Sequence, residues 1–265
     1  MVFSRYRGDV PMLRPPGVYR PQADTALLAG ALRRAGVAAG ARVLDVGTGT
    51  GAMAVAAARC GAREVVAVDV AAGAVLAARV NARLRNLPVR VLRGDLFEPV
   101  AGERFDVIVA NPPYVIGDAF PEEVRGRARA WEAGPCGRAL LDRICAQAPA
   151  HLAPGGTLLV VQSALSGVAA TLVALRDAGT RPVVAARRDE PFGPVMRRRA
   201  ASLEARGAVR CGQRHEELVV VRADLTGTRG HGHNGHGGYG GYGGRGGPAG
   251  GGERGGRRDG ARRAA

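Results

Sequence analysis

The chain contains no lysine: all 38 basic residues among its 265 are arginine. With abundant alanine and glycine, this is the compositional mark of a GC-rich genome and points to a bacterial source. Paired cysteines are also missing. Cys60, Cys136, Cys145 and Cys211 are scattered without a Cys-x-x-Cys spacing, which argues against a zinc site or a disulfide frame and fits a reducing cytosol. No apolar run approaches the roughly 18 residues of a membrane span. The first residues, Phe3 to Pro11, hold no apolar core of signal-peptide length. These absences predict a cytoplasmic protein with no membrane partner and no metal.

The formal charge is +15. Residues 226–265 carry seven arginines against Glu253 and Asp259, so this tail contributes +5 and the rest of the chain +10. A basic body attracts polyanions such as RNA without choosing among them. The tail is low in complexity, rich in Gly and Arg with His231, His233, His236, Tyr239 and Tyr242. It cannot bury a core and is expected to be disordered. Interleaved Arg and Tyr suit weak RNA contact, and a solubilising linker is the plain alternative.

Between the termini, short continuous apolar segments alternate with helical patterns. Strands are predicted at 42–46, 64–69, 88–93, 104–110, 156–162, 181–189 and 215–223, with Pro154-Gly155-Gly156 read as a turn before the fifth. Helices are predicted at 24–35, 51–60, 71–84, 137–151, 165–178 and 194–206. That alternation belongs to an α/β fold with a mostly parallel sheet covered on both faces. The expected domains are a flexible N-terminal extension at 1–17, a catalytic domain at 18–225 and the tail at 226–265.

Two motifs carry chemistry. In the first, Val43-Leu44-Asp45-Val46-Gly47-Thr48-Gly49-Thr50-Gly51 reads as a strand followed by a glycine turn, with a helix after it. Gly47 and Gly49 permit a tight turn and close backbone approach to a nucleoside cofactor, and Gly51 with Ala52 lets the helix pack near the strand. Asp69, at the end of the next strand, can take both hydroxyls of a ribose. Both features fit NAD as well as an adenosyl cofactor. Asp95 separates the two, since a carboxylate there can accept from an adenine amino group while Leu96 lies against the ring. In the second motif, the buried run 105–110 stops in Asn111-Pro112-Pro113-Tyr114. Two prolines end the sheet ladder and stiffen the exit. The Asn111 side-chain oxygen and the Pro112 carbonyl can hold both hydrogens of a planar –NH2, with Tyr114 over its flat face. Pro113 completes this acceptor-binding loop. For each acid taken singly, a solvated turn or a helix cap is the plain alternative.

These residues resemble a class I S-adenosylmethionine-dependent methyltransferase, and more narrowly the HemK-type family that methylates the glutamine amide of translation release factors. The resemblance runs from about Tyr19 to Leu225. It implies a Rossmann-like seven-stranded sheet with a reversed terminal strand. It implies catalytic and substrate-binding roles for Asn111, Pro112, Pro113 and Tyr114. It implies S-adenosylmethionine contacts for Asp45, Gly47, Thr48, Gly49, Gly51, Asp69, Asp95, Leu96 and Asn111. The opening Tyr19-Arg-Pro21-Gln-Ala23-Asp24-Thr25 resembles the family's short single-domain branch, whose corresponding segment lies over the cofactor, which implicates Tyr19, Pro21 and Thr25. From the residues alone, Asp24-Thr25 reads as a helix cap. Two departures stand out: Ala23 replaces the usual Glu, and Cys136 stands where Asp is common in the stretch 130–138.

The acceptor stays open between a protein glutamine, as in a release factor, and an adenine or guanine amino group of rRNA, tRNA or DNA. A non-catalytic RNA-binding module on the same fold is a third reading, and a nicotinamide dehydrogenase a fourth that leaves Asn111–Tyr114 unexplained. Arg197, Arg198 and Arg199 are read as a solvated helix face.

Overall fold

The structure is a computed structural model that describes residues 2–4, 12–117 and 132–226. Residues 5–11 of the expected extension, the first two of the stretch 130–138 and the tail from 227 onward, on which earlier expectations fall, lie outside them. Nine strands and six α-helices are present among the described residues. A hairpin of β1 (Val2–Ser4) and β2 (Met12–Arg14) precedes α1 (Ala23–Ala35). The remaining elements, in chain order, are β3 (Arg42–Val46), α2 (Ala52–Arg59), β4 (Glu64–Asp69), α3 (Ala72–Arg83), β5 (Val89–Arg93), β6 (Phe105–Ala110), α4 (Ala139–Gln147), β7 (Leu152–Ser163), α5 (Val168–Asp177), β8 (Thr180–Pro191), α6 (Pro194–Ala205) and β9 (His215–Leu225).

The central sheet has the order β5-β4-β3-β6-β7-β9-β8. Strands β3 to β7 run parallel, and β9 is antiparallel to both β7 and β8. The alternating strand–helix pattern produces this sheet because each parallel crossover needs a helix on one face. Both faces are covered. Leu44, Val46, Ile108, Leu158 and Val160 pack towards α4 and α5, whereas Val43, Val65, Val107, Val109 and Val161 pack with residues of α1, α2 and α3. That double burial is why the strands read as continuous apolar runs.

The chain builds outward from β3 through β4 to β5, then returns to place β6 on the other side of β3. Register pairs Val46 with Ala110, so Gly47 and Asn111 leave the sheet side by side. A crevice opens at such a reversal, at the carboxyl ends of the strands.

Two segments differ from expectation. Pro154-Gly155-Gly156, read as a turn before a strand, lies inside β7 at an irregularity where pairing shifts between Phe105 and Val107. The β6–β7 pairing on both sides of it carries the strand assignment through. Residues 12–17, read as part of a flexible extension, are packed down: Met12 and Leu13 are buried. The cause is Asn81 on α3. Its amide accepts from the Leu13 N–H at 2.8 Å and donates to the carbonyls of Leu13 and Thr50, both at 2.9 Å. One fully buried side chain thus joins the N-terminal segment to the glycine turn.

Replacing Asn81 with Leu removes three bonds and strands buried backbone groups. Each such group costs about 1–3 kcal/mol, so Asn81→Leu should destabilise the fold by about 2–4 kcal/mol in a urea titration. A loss below about 1 kcal/mol would show that residues 12–14 are not anchored this way.

Candidate active site

A cavity of about 270 Å³ lies at the reversal of strand order. It is lined by the glycine turn after β3, the ends of β4 and β5, the start of α1 with the segment before it, and the loop after β6. Both sequence motifs therefore open into one space. Tyr19, Pro21, Thr25, Asp45, Gly47, Thr48, Gly49, Asp69, Asp95, Leu96, Asn111, Pro112, Pro113 and Tyr114 all line it. Gly51 does not. It caps α2 at φ 83°, and a Cβ there would sit 3.1 Å from Ala78 Cα, so its role is close helix packing.

The glycine turn is held from below. Asp45, 1% exposed, accepts from the Thr48 hydroxyl at 2.5 Å and from the Ala54 N–H at 2.9 Å. The Asp45 carboxylate, read from sequence as a cofactor contact, is engaged with the turn itself and with α2. Burial pushes its pKa from 3.8 to about 7, although both hydrogen bonds pull the other way. Above the turn, Asp69 accepts from the Gly49 N–H and from the Ala71 N–H, both at 2.9 Å. A side chain at Gly47 or Gly49 would point into open space, so those positions leave room for a ligand against the backbone.

Asp95 pairs with Arg143 of α4 at 2.5 Å. Arg143 also lines the cavity, and no sequence pattern linked these two residues, 48 positions apart. Leu96 adopts φ 45°, an unusual left-handed conformation for leucine, which turns the chain sharply after Asp95.

The start of α1 and the loop after β6 meet at Asp24. This residue is 2% exposed and lies within the first turn of the helix; Gln22 is the N-cap, so the sequence reading of Asp24 as a cap does not hold. Its Oδ2 accepts from the Tyr19 hydroxyl at 2.8 Å and the Tyr114 hydroxyl at 3.0 Å. Burial first, then the Asp24 charge, raises both phenol pKa values. Asn111 donates from Nδ2 to Thr25 Oγ1 at 3.3 Å. Glu216 of β9 lies near this group, its pKa raised chiefly by burial and further by Asp24 and Glu190.

A second layer fixes the loop. Ser166 donates to the Tyr114 carbonyl at 3.1 Å. Gly137 packs so closely that a Cβ would lie 2.6 Å from the same carbonyl. Glu132, 3% exposed, pairs with Arg199, which also donates to the Ile116 carbonyl at 3.1 Å. Arg199 is therefore a structural clamp, while Arg197 and Arg198 are exposed as read. Cys136 is exposed, and Cys145 is buried with its thiol pKa pushed up to about 11. Among the described residues no cluster of His, Cys, Asp and Glu could hold a metal, and no helix is long and apolar enough to cross a membrane.

A nucleoside cofactor with an amino-acid arm fits this lining: open space over two glycines, a carboxylate at the end of β4 and another beyond β5. The family model for the methyltransferase small domain matches residues 10–128. The T. thermophilus 16S rRNA methyltransferase RsmC, solved with AdoMet and guanosine, superposes with a TM-score of 0.58 at 23% identity, covering 84% of this chain and 50% of that one. The fold is that of a class I methyltransferase, and its cofactor is S-adenosylmethionine. A protein of Methanocaldococcus jannaschii that carries the name protein N5-glutamine methyltransferase is 36% identical over 182 residues, 68% of this chain and 90% of that protein. This chain belongs to that HemK-type family of protein-glutamine methyltransferases. The release factor glutamine methyltransferase of Geobacter sulfurreducens is 41% identical over 153 residues, 55% of this chain and 53% of its own length. The chain thus spans about half of that longer relative.

The Asp45 carboxyl carries a pH signature. The folded chain holds its proton up to about pH 7, whereas an ordinary aspartate releases it near 3.8. The stability this confers is complete below pH 3.8 and is lost as pH rises through 7. Between pH 5 and 8 the wild type should lose up to about 3 kcal/mol relative to Asp45→Asn. Parallel urea midpoints for the two proteins across that range would contradict the assignment.

Proposed function

We propose that this protein methylates the side-chain amide of glutamine in a cytoplasmic protein acceptor, a translation release factor being the family's example. The observation that supports it is the opening of the Asn111–Tyr114 loop and the glycine turn into one cavity. Asp69 would hold the ribose, Asp95 the adenine amine, and Leu96 the face of the ring. Arg143 fixes the Asp95 carboxylate and leaves it lone pairs for that amine. Tyr19 and Pro21 close the cavity from the N-terminal side. When bound, S-adenosylmethionine supplies a methyl group on a positively charged sulfur, an electrophile that needs no further activation.

The chain's own task is alignment. An amide nitrogen is a poor nucleophile because its lone pair is delocalised. Asn111 Oδ1 and the Pro112 carbonyl would accept its two hydrogens, which increases electron density on nitrogen and fixes the –NH2 plane. Tyr114, tethered to Asp24, would cover one face and exclude water. The nitrogen would gain its bond to the methyl carbon as that carbon's bond to sulfur breaks; the extra proton would then leave to water, and S-adenosylhomocysteine would be the other product.

A second reading has two observations behind it: an rRNA methyltransferase shares this fold, and the chain is basic. Purified protein is incubated with methyl-labelled cofactor and lysate of its own organism, and the product is split between protease and nuclease. Label that survives nuclease, becomes small under protease and maps to glutamine by mass spectrometry is expected. Release by nuclease would make the acceptor a base and overturn the proposal. Failure to bind the cofactor would favour a non-catalytic module. Asn111→Ala should lower turnover about 100-fold or more while changing cofactor affinity less than about threefold. Equal losses in both would contradict the role given to Asn111.

A further inference from the structure

The hydrogen bonds around Asp24 have a direction, and that direction ends at Asn111. Gln22 donates from Nε2 to the Tyr19 oxygen at 3.0 Å, so Tyr19 passes its own hydrogen onward to Asp24 Oδ2. Tyr114 donates to the same oxygen. The other oxygen, Oδ1, accepts from the Thr25 N–H at 2.5 Å, which can only donate. The Thr25 hydroxyl also donates to Oδ1, at 3.1 Å. A hydroxyl has one hydrogen. With it committed to Asp24, Thr25 Oγ1 can only accept from Asn111. The Asn111 amide must therefore turn Nδ2 towards Thr25, as the 3.3 Å bond has it, and Oδ1 is the end left for the acceptor.

We propose that Asp24 and Thr25 lock the polarity of the Asn111 amide, and thereby make the acceptor site select a hydrogen-bond donor, –NH2, over an isosteric carboxylate. A glutamate side chain has the shape of glutamine and no hydrogen to give. Facing Asn111 Oδ1 and the Pro112 carbonyl it meets two oxygens of like partial charge. If the Asn111 amide were free to rotate, it could offer Nδ2 instead and would accommodate either ligand. Thr25, read from sequence as a cofactor contact, is on this account a positioning residue for the acceptor loop. The inference rests on the glutamine reading above, and its first test does not require that reading.

The test compares the wild type with Thr25→Val, which keeps the shape and removes the hydroxyl, and Thr25→Ser, which restores it. All three are saturated with S-adenosylhomocysteine, and its affinity is measured by calorimetry. Agreement within about threefold shows an intact cofactor site. The side-chain NH2 of Asn111, one of four asparagines in the chain, is followed by hydrogen exchange in NMR spectra. Protection in the wild type and Thr25→Ser, and its loss in Thr25→Val, is expected. Equal protection in all three overturns the lock.

Affinity is then compared for two synthetic peptides that differ only in a central glutamine or glutamate. The wild type and Thr25→Ser should prefer glutamine by about tenfold or more, and Thr25→Val should lose most of that preference. An unchanged preference in Thr25→Val overturns the proposal even where exchange behaves as expected. If exchange shows the lock and the wild type prefers neither peptide, the failure lies with the glutamine reading and not with the polarity of Asn111.

Discussion

The site depends on one register: Val46 of β3 opposite Ala110 of β6. Neighbouring strands lie about 4.8 Å apart, so the sheet delivers the glycine turn and the Asn-Pro-Pro-Tyr loop at that separation before either loop has any structure of its own. The reversal of strand order at the same place keeps the next crossover helix from covering the gap. A slip of β6 by one residue would turn its side chains, and with them the exit into Asn111, to the opposite face of the sheet. The buried apolar runs on both strands prevent that slip, so core packing and site geometry have the same origin.

Loops leaving such a sheet still need fixing, and this chain fixes them with buried carboxylates. Asp45 holds the glycine turn, Asp24 holds Tyr19 and Tyr114, and Glu132 with Arg199 holds the backbone after the acceptor loop. Each is 3% exposed or less. Burying such a group without partners costs several kcal/mol, and a full set of donors offsets that cost only in the correct geometry. The arrangement favours a single conformation of each loop more than it adds stability. Asn81 does the same for the N-terminal segment with a neutral amide.

The sheet and its helices were legible in the sequence because each parallel strand is a short apolar run with a helix behind it, and the strand ends carrying Asp69, Asp95 and Asn111 could be read from where those runs stop. What could not be read were partners far apart in the chain. Asp24 and Tyr114 are 90 residues apart, Asn81 and Leu13 are 68, and Arg143 and Asp95 are 48. Periodicity reports which face a residue occupies and nothing of its partner across the fold. For that reason Asp24 read as a cap and residues 12–17 as loose. Pro154-Gly155-Gly156 misled for another reason: turn-forming residues can also sit at an irregularity inside a strand. Helix packing at Gly51 was legible, and the cofactor contact that the resemblance implied for it is absent from the cavity lining.

The most direct test of the central claim is a crystal structure with S-adenosylhomocysteine and a glutamine-containing acceptor peptide bound. The account predicts the glutamine amide nitrogen within about 3.2 Å of both Asn111 Oδ1 and the Pro112 carbonyl oxygen, with the Tyr114 ring over its plane and the Asn111 Nδ2 still on Thr25. A glutamine bound elsewhere in the cavity, or an Asn111 amide turned with its nitrogen towards the acceptor, would contradict it.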